Sequence, residues 1–207
     1  MIQEFKDGGG IMWFLLVCAV LGIALTLERL FTLFIRTRVN VKKFSQKLLQ
    51  TIDKDGIQAG IELCNQTPSP VAKVLRAALL KAEADRAVME DAIVRAGATE
   101  LAFLDRGMAL LAGLTTVAPF FGFLGTVTGM IGAFKAIAAV GEVDPTVVSS
   151  GIAEALITTK WGLIIAAPLA IVHILFTGKI NGYLRDMETA SSELIDYLVL
   201  KRGACKE

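Results

Sequence analysis

The chain has 207 residues, of which 54% are hydrophobic and 20% are charged, and its formal net charge is +1. This composition excludes a disordered or collagen-like chain, and the near-neutral charge provides no basic surface for nucleic acid. Because soluble domains also contain about half apolar residues, the distribution of the charges decides the class of protein.

Three long tracts carry almost no charge. The pair Glu28-Arg29 interrupts the first tract near its end, Lys135 is the single charge of the second, and the third holds Glu154 and Lys160. Each tract reaches the roughly 20 mainly apolar residues that a membrane helix needs. The sequence therefore predicts three crossings, at residues 11–35, 107–140 and 149–177.

The first tract resembles a signal peptide in its position in the chain. A signal peptide has a basic head and a cleavage site of small residues, whereas here Glu4 and Asp7 outweigh Lys6. We therefore expect an uncleaved first crossing.

The charges between the tracts predict an orientation. Residues 36–106 hold twelve Lys and Arg against nine Asp and Glu, and the tail at 178–207 holds five basic residues. The connection at 141–148 has only acidic charges, Glu142 and Asp144. By the positive-inside rule, the central block and the tail are cytoplasmic, whereas residues 1–10 and the connection lie outside.

The central block is amphipathic and helical in pattern. Its apolar residues recur at helical spacing in three runs, for example Phe44, Leu48 and Ile52 in the first. Breaks are expected at Asp53–Gly56 and at Pro68–Pro70. After Pro70 we expect a helix that continues into the second crossing, and we predict an all-α membrane protein with long helices that extend into a helical cytoplasmic domain.

The cysteines and the single histidine indicate no catalytic or metal chemistry. Cys18, Cys64 and Cys205 are odd in number and widely spaced, as expected for reduced, structural thiols. No Ser/His/Asp or Cys/His grouping occurs. We therefore expect neither an enzyme nor a cofactor or metal site.

Small residues form a stripe on the second crossing. At 3.6 residues per turn the stripe contains Thr115, Ala118, Pro119, Gly122, Thr126, Gly129 and Ala133. Gly125 and Gly129 also form a small-xxx-small step, which is typical of closely packed membrane helices. Close packing without transport explains this stripe by itself, and Pro119 kinks the helix or leaves a carbonyl for water or a hydroxyl.

Glu154 is the chemically informative residue of the third crossing. A carboxyl inside a membrane costs a few kcal/mol, so it faces a bundle interior or an aqueous cavity, where burial favours the protonated form that a proton carrier needs. Two structural alternatives stay open: a static pair with a lysine, or a place near the outer interface. Lys160 lies about 240° around the helix from Glu154, so it pairs through another helix or subunit, with Glu28 as one candidate.

Threonines near Glu154 are candidates for a polar path. Thr158 lies one turn from Glu154 on the same face, whereas Thr159 is displaced by about 140°. A threonine hydroxyl in a membrane helix more often bonds its own backbone, so each threonine alone is a weak indication.

The residues of the second and third crossings resemble a known family. The matching runs are APFFGFLGTVTGMI at 118–131, GIAEALITT at 151–159 and GLIIAAP at 162–168. Together they resemble the MotA/TolQ/ExbB proton-channel family, and most of all its ExbB branch. Three crossings argue against the MotA branch, which has four.

The resemblance implies a homopentameric channel in a bacterial inner membrane. Such a channel would surround an ExbD-like single-pass partner with a transmembrane aspartate, and proton flow would drive a TonB-like protein for outer-membrane uptake. By position, Glu154 matches the channel glutamate, and Thr126 and Thr159 match the pore threonines, whereas Thr158 rests on helical phase alone. The remaining candidates, for packing and kinks in the pore, are Pro119, Gly122, Gly125, Gly129 and Pro168.

Other interpretations remain at this point. Within the family, a TolQ-like envelope role or a gliding motor uses the same kind of pore, and outside it a non-conducting scaffold with a paired Glu154 is possible. A carboxyl with threonine hydroxyls could also serve sodium. A solute carrier is less expected because no inverted repeat is present.

Overall fold

A computed structural model of the chain describes residues 2–36, 39–140 and 145–204. Within these ranges the chain forms helices and short turns, without a strand. The helices are α1 (Ile2–Asp7), α2 (Ile11–Leu30), a π-helical segment (Phe31–Arg36), α3 (Val41–Gln66), α4 (Pro70–Leu79), α5 (Arg86–Asp105), α6 (Met108–Val140) and α7 (Pro145–Ala204). The predicted all-α fold class is therefore confirmed.

Three helical stretches are long and apolar enough to cross a membrane. They are Ile11–Leu33, Arg86–Ala138 and Val148–Lys201. These stretches overlap the three charge-poor tracts of the sequence, the first two ending two residues before the predicted crossings do. Of the predicted outer connection, Glu142 and Asp144 lie outside the described residues.

The helix boundaries follow local backbone chemistry. Asn40 starts α3 because its side chain accepts a hydrogen bond from the Lys43 amide at 3.3 Å. The expected breaks are present: Gly56 is non-helical at φ 83° inside α3, and α4 begins at Pro70. Pro70 suits the first turn of a helix because its missing amide has no partner there.

The prediction of one helix that continues from Pro70 into the second crossing is wrong, because the chain breaks in two places. A turn separates α4 from α5, closed by hydrogen bonds from the Lys81 amide to Ala78 and from the Ala84 amide to Lys81. A second break ends α5 at Asp105, where Gly107 adopts φ 80°. Only glycine enters that left-handed region freely.

The chain divides into two compact units. Unit 1 comprises Met1–Glu28 and Gly107–Leu175, and unit 2 comprises Arg29–Arg106 and Phe176–Glu207. Helices α2 and α7 contribute residues to both, so the predicted boundary at residues 177 and 178 lies inside a continuous helix.

Unit 2 has a core of large apolar side chains. Leu48, Leu75, Leu79, Met89 and Leu194 are all less than 2% exposed. The unit also contains the buried thiol of Cys64, whereas Cys205 lies outside the described residues.

Buried polar groups of unit 2 find backbone partners. Arg29 is 3% exposed and donates to the carbonyls of Phe103 and Leu104 near the end of α5, at 3.3 and 3.2 Å. The Tyr183 hydroxyl donates to the Leu33 carbonyl at 3.1 Å. These contacts satisfy groups that would otherwise lose their hydrogen bonds to water.

Candidate functional site

Glycines bring α6 and α7 into backbone contact within unit 1. A methyl group on Gly122 would lie 3.0 Å from the carbonyl oxygen of Thr158, and one on Gly129 would lie 3.0 Å from that of Gly151. One on Gly125 would overlap with the Thr158 hydroxyl. Close approach of this kind is how small residues pack membrane helices. The small-residue stripe thus packs α6 against α7 of the same chain.

The candidate threonines donate to backbone carbonyls in this arrangement. Thr158 is 1% exposed and donates to Ala155 at 2.8 Å. Thr159 is half-buried and donates to Gly122 of α6 at 3.2 Å. Thr126 is half-buried and donates to Phe123 at 2.7 Å. Thr159 therefore bridges the two helices, while Thr126 bonds its own helix.

Glu154 is half-buried and lies against the turn between α1 and α2. A methyl group on Gly9 would overlap with its Oε1, and Gly9 has φ 67°. Glycine is therefore favoured at this position by both space and backbone conformation. Within the described residues, the Glu154 carboxylate forms no ion pair.

A cavity of about 500 Å³ adjoins Glu154. Its polar side chains are Asp7 of α1, Thr128 of α6, and Ser150 and Glu154 of α7. Small residues of α6 and α7 line the rest: Gly129, Gly132, Ala133, Ala136, Gly151 and Ala153, with Ile157 at one side. A carboxyl facing a polar cavity has room for water or an ion, as exchange of a proton requires.

Lys160 pairs with the N-terminal helix instead of with Glu154. Its ammonium lies 2.5 Å from Oε1 of Glu4 and 5.8 Å from the ring centroid of Trp161. The hydrogen bond from Lys160 holds the pKa of the Glu4 carboxyl below its usual value. The possible pairs of Lys160 with Glu154 and with Glu28 are both absent from the described part of the chain.

The structure and the sequence analysis select different neighbours for Glu154. Thr126, Thr158 and Thr159 do not line its cavity, whereas Asp7, Thr128 and Ser150 do. The i, i+4 spacing of Thr128, Gly132 and Ala136 was a usable signal for this second face of α6. Nothing in the sequence pattern connects Asp7 with the third crossing.

The two prolines differ in their surroundings. Pro119 lies inside α6 and is half-buried, and Pro168 lies inside α7 and is exposed. Each removes one backbone hydrogen bond from its helix.

In the described residues no group of three or more His, Cys, Asp or Glu could hold a metal ion.

The fold and the site define an all-α membrane protein in which Glu154, the carboxyl of the third crossing, faces a cavity beside glycine-packed crossing helices. A profile of the MotA/TolQ/ExbB proton channel family matches residues 66–189. That match covers more than half of the chain, so the protein belongs to the MotA/TolQ/ExbB proton channel family.

Individual relatives carry ExbB names. The chain is 29% identical over 188 residues to a biopolymer transport protein ExbB homolog of Methanothermobacter thermautotrophicus. The aligned region covers 91% of this chain and 67% of that protein. It is 32% identical over 172 residues to biopolymer transport protein exbB1 of Vibrio cholerae, covering 81% and 75% of the two chains. The match to ExbB of Pseudomonas putida, at 36% identity, covers only 44% and 28%.

Proposed function

We propose that this protein is the channel subunit of an inner-membrane motor that converts proton motive force into movement, with Glu154 as the group that exchanges the proton. The family is one of proton channels, and the ExbB names of its relatives favour biopolymer transport. One observation carries the assignment to Glu154: it is a carboxyl in a predicted crossing that faces a cavity and has no ion-pair partner among the described residues.

The chemistry of Glu154 suits this role. Protonated, the side chain is neutral and tolerates apolar surroundings; ionised, it needs water, a hydroxyl or a cation, which a polar cavity accommodates. Thr126 and Thr159 remain proposed pore residues by their position in the family motif. The hydroxyls of Thr128 and Ser150 line the cavity in this chain and join them as candidates.

A complete path requires further chains. One carboxyl per subunit does not span a bilayer, so we propose a homo-oligomer, a pentamer by family resemblance, around an ExbD-like single-pass partner with a transmembrane aspartate. A TonB-like protein would receive the movement. The proposed orientation has the N-terminus periplasmic and residues 36–106 and 178–207 cytoplasmic.

Glu154→Gln tests the channel directly. The assembly is isolated from membranes with its co-purifying proteins and reconstituted in liposomes, where an imposed potential drives proton entry and an internal dye reports pH. We expect normal assembly and loss of proton flux, since the amide does not exchange a proton at this site. Glu188→Gln, the same change at an exposed position of α7, is the matched control. Undiminished flux in Glu154→Gln would remove the channel proposal in favour of a scaffold.

The partner and the ion are tested on the same preparation. We expect a co-purifying single-pass protein with one acidic residue in its crossing, whose periplasmic domain distinguishes a TonB system from a TolQ-like or gliding system. If the flux follows a sodium gradient at constant pH, the transported ion is sodium and not the proton. Mass measurement of the intact assembly counts the subunits, with five expected.

A further inference from the structure

Lys160 is an unusual charge for the third crossing. Among residues 149–177, Glu154 is the only Asp or Glu and Lys160 the only Lys or Arg. Six residues of helix separate them by about 9 Å along the axis and about 240° around it. An uncompensated ammonium at this distance would favour the ionised form of Glu154 and hinder its protonation.

The N-terminal segment, residues 2–10, supplies the counter-ion. Glu4 of α1 pairs with Lys160 at 2.5 Å, and both side chains are partly exposed, at 36% and 46%. At the other end of the segment, Gly9 lies against the Glu154 carboxylate. The segment thus contacts α7 at both Glu154 and Lys160.

Other contacts fix the course of this segment. The ring of Phe5 meets Trp13 of α2 edge to face, with centroids 5.1 Å apart. The turn between α1 and α2 uses the positive φ of Gly9, and the Gly8 amide donates to the Glu4 carbonyl at 2.9 Å. An aromatic pair of this geometry adds to apolar burial, so the Glu4 pair does not hold α1 by itself.

We propose that Glu4 is a positioning residue for Glu154. Its pair with Lys160 neutralises the cation inside the chain and keeps the N-terminal segment on α7, with Gly9 and Asp7 beside Glu154. Glu154 then exchanges its proton without the field of an unpaired ammonium on the same helix. The inference rests on the proposed role of Glu154 in ion exchange and adds a residue outside the family motif to its site.

The proposal concerns the pair itself, so the test must detect the contact between Glu4 and Lys160. A water-soluble carbodiimide joins a carboxylate and an amine in contact as an amide and takes up the water lost. We expect a Glu4–Lys160 cross-link in the assembled protein, identified by mass spectrometry after proteolysis. In assemblies of mixed ordinary and ¹⁵N-labelled chains, it should join peptides of one label only. A link from Lys160 to Glu154, or none from Lys160 to Glu4, would overturn the proposal.

The effect on Glu154 is measured by chemical labelling across pH. Dicyclohexylcarbodiimide labels protonated carboxyls in apolar surroundings, so the labelling rate of Glu154 against pH reports its protonation. The other titratable groups to consider are Asp7 in the cavity on α1 and Lys160 on α7, since α6 lines the cavity with uncharged residues. Glu4→Gln frees the Lys160 charge and should shift the labelling curve to lower pH. At the wild-type midpoint, labelling should then fall by roughly threefold or more, as a unit charge at this distance predicts.

The charge exchange Glu4→Lys with Lys160→Glu should return the curve to its wild-type position, whereas a loss of general stability would not be rescued in this way. Glu188→Gln is again the control. An unshifted curve in Glu4→Gln, or a shift that the exchange fails to reverse, would contradict the proposal. Neither the cross-link nor the labelling depends on proton flux. The inference about Glu4 can therefore fail while the channel role stands, and the channel role can fail while the Glu4–Lys160 pair stands.

Discussion

Units 1 and 2 differ in how their helices meet. In unit 1 the contact between α6 and α7 is made by glycines against backbone atoms, as at Gly122 and Gly129. In unit 2 the core consists of large apolar side chains, with ion pairs such as Arg86–Asp196 at 3.0 Å near the surface. Helices of the same chain therefore pack by two different rules.

The exposed surfaces explain the difference. In unit 1 large apolar side chains face outward, among them Trp13, Phe120, Leu156 and Ile174, each more than 60% exposed. Burial of apolar area gives no gain where the surroundings are lipid, so close van der Waals contact stabilises the helix pair. In water the same area drives folding at about 25 cal/mol per Å². The two packing modes match a membrane solvent for unit 1 and an aqueous one for unit 2.

The largest expected effect comes from adding volume between α6 and α7. Gly122→Leu places a side chain where backbone of Thr158 and Thr159 already stands, so the helices must separate. Overpacking at a site that cannot give way costs about 3 kcal/mol or more. We expect loss of the monodisperse peak on size exclusion in detergent, after mild heating.

Gly113→Leu is the matched control for that substitution. It makes the same change in the same helix, but a methyl group on Gly113 would have no heavy atom within 4 Å. Equal damage from both variants would show that helix propensity, and not close packing, explains the glycines.

The next effect removes volume from unit 2. Leu75 is fully buried in α4, and Leu75→Ala should cost about 2 to 5 kcal/mol through lost burial and a residual cavity. Thermal unfolding monitored by circular dichroism in detergent measures it. Leu80→Ala, at a residue 52% exposed, should change the midpoint little. The comparison between units fails if Leu156→Ala in unit 1, 64% exposed, is as damaging as Leu75→Ala.

The sequence predicts much of the fold because helices that cross a membrane require long tracts without charged residues. Charge-free tracts located the crossing helices, and Gly56 and Pro70 marked breaks through their own backbone chemistry. The turn between α4 and α5 was missed because it contains neither glycine nor proline and is closed by backbone hydrogen bonds such as Ala84 to Lys81. Such a turn depends on the packing of the helices around it.

The candidate site was only partly predictable for a related reason. Glu154 is conspicuous because a carboxyl is costly in an apolar tract. The pair of Lys160 with Glu4 joins residues 156 positions apart, and no periodicity relates a six-residue helix to the third crossing. Helical phase placed Thr158 beside Glu154, but it could not show that Gly125 leaves the space that Thr158 fills.

A smaller effect concerns the reactivity of the buried thiol in unit 2. Burial raises the pKa of Cys64 from 9.0 to about 11, so at pH 8 the thiolate is about a hundredfold scarcer than for an ordinary cysteine. In a variant with Cys18→Ala and Cys205→Ala, we expect slow maleimide labelling of Cys64 that accelerates on unfolding. Rapid labelling of the folded protein would show that the core of unit 2 opens readily, against the packing described above.

The smallest effect tests the surface polar contacts of unit 2. Asp53 accepts hydrogen bonds from Tyr197 and from Lys201, and these hold its pKa below the usual 3.8. A carboxyl with a lowered pKa stabilises the fold above its ordinary value, and the contribution is lost as pH falls from about 4 through the lowered value.

Because Asp53 is exposed and screened, Asp53→Asn should lower the thermal midpoint at pH 7 by less than about 2 °C and lose even this effect near pH 2. Asp55→Asn, two residues away and also exposed, is the control and should change neither midpoint. A loss in Asp53→Asn comparable to that in Leu75→Ala would mean that polar contacts stabilise unit 2 as much as its apolar core does. The contrast between the units would then lie in their polar groups as well as in the way their helices pack.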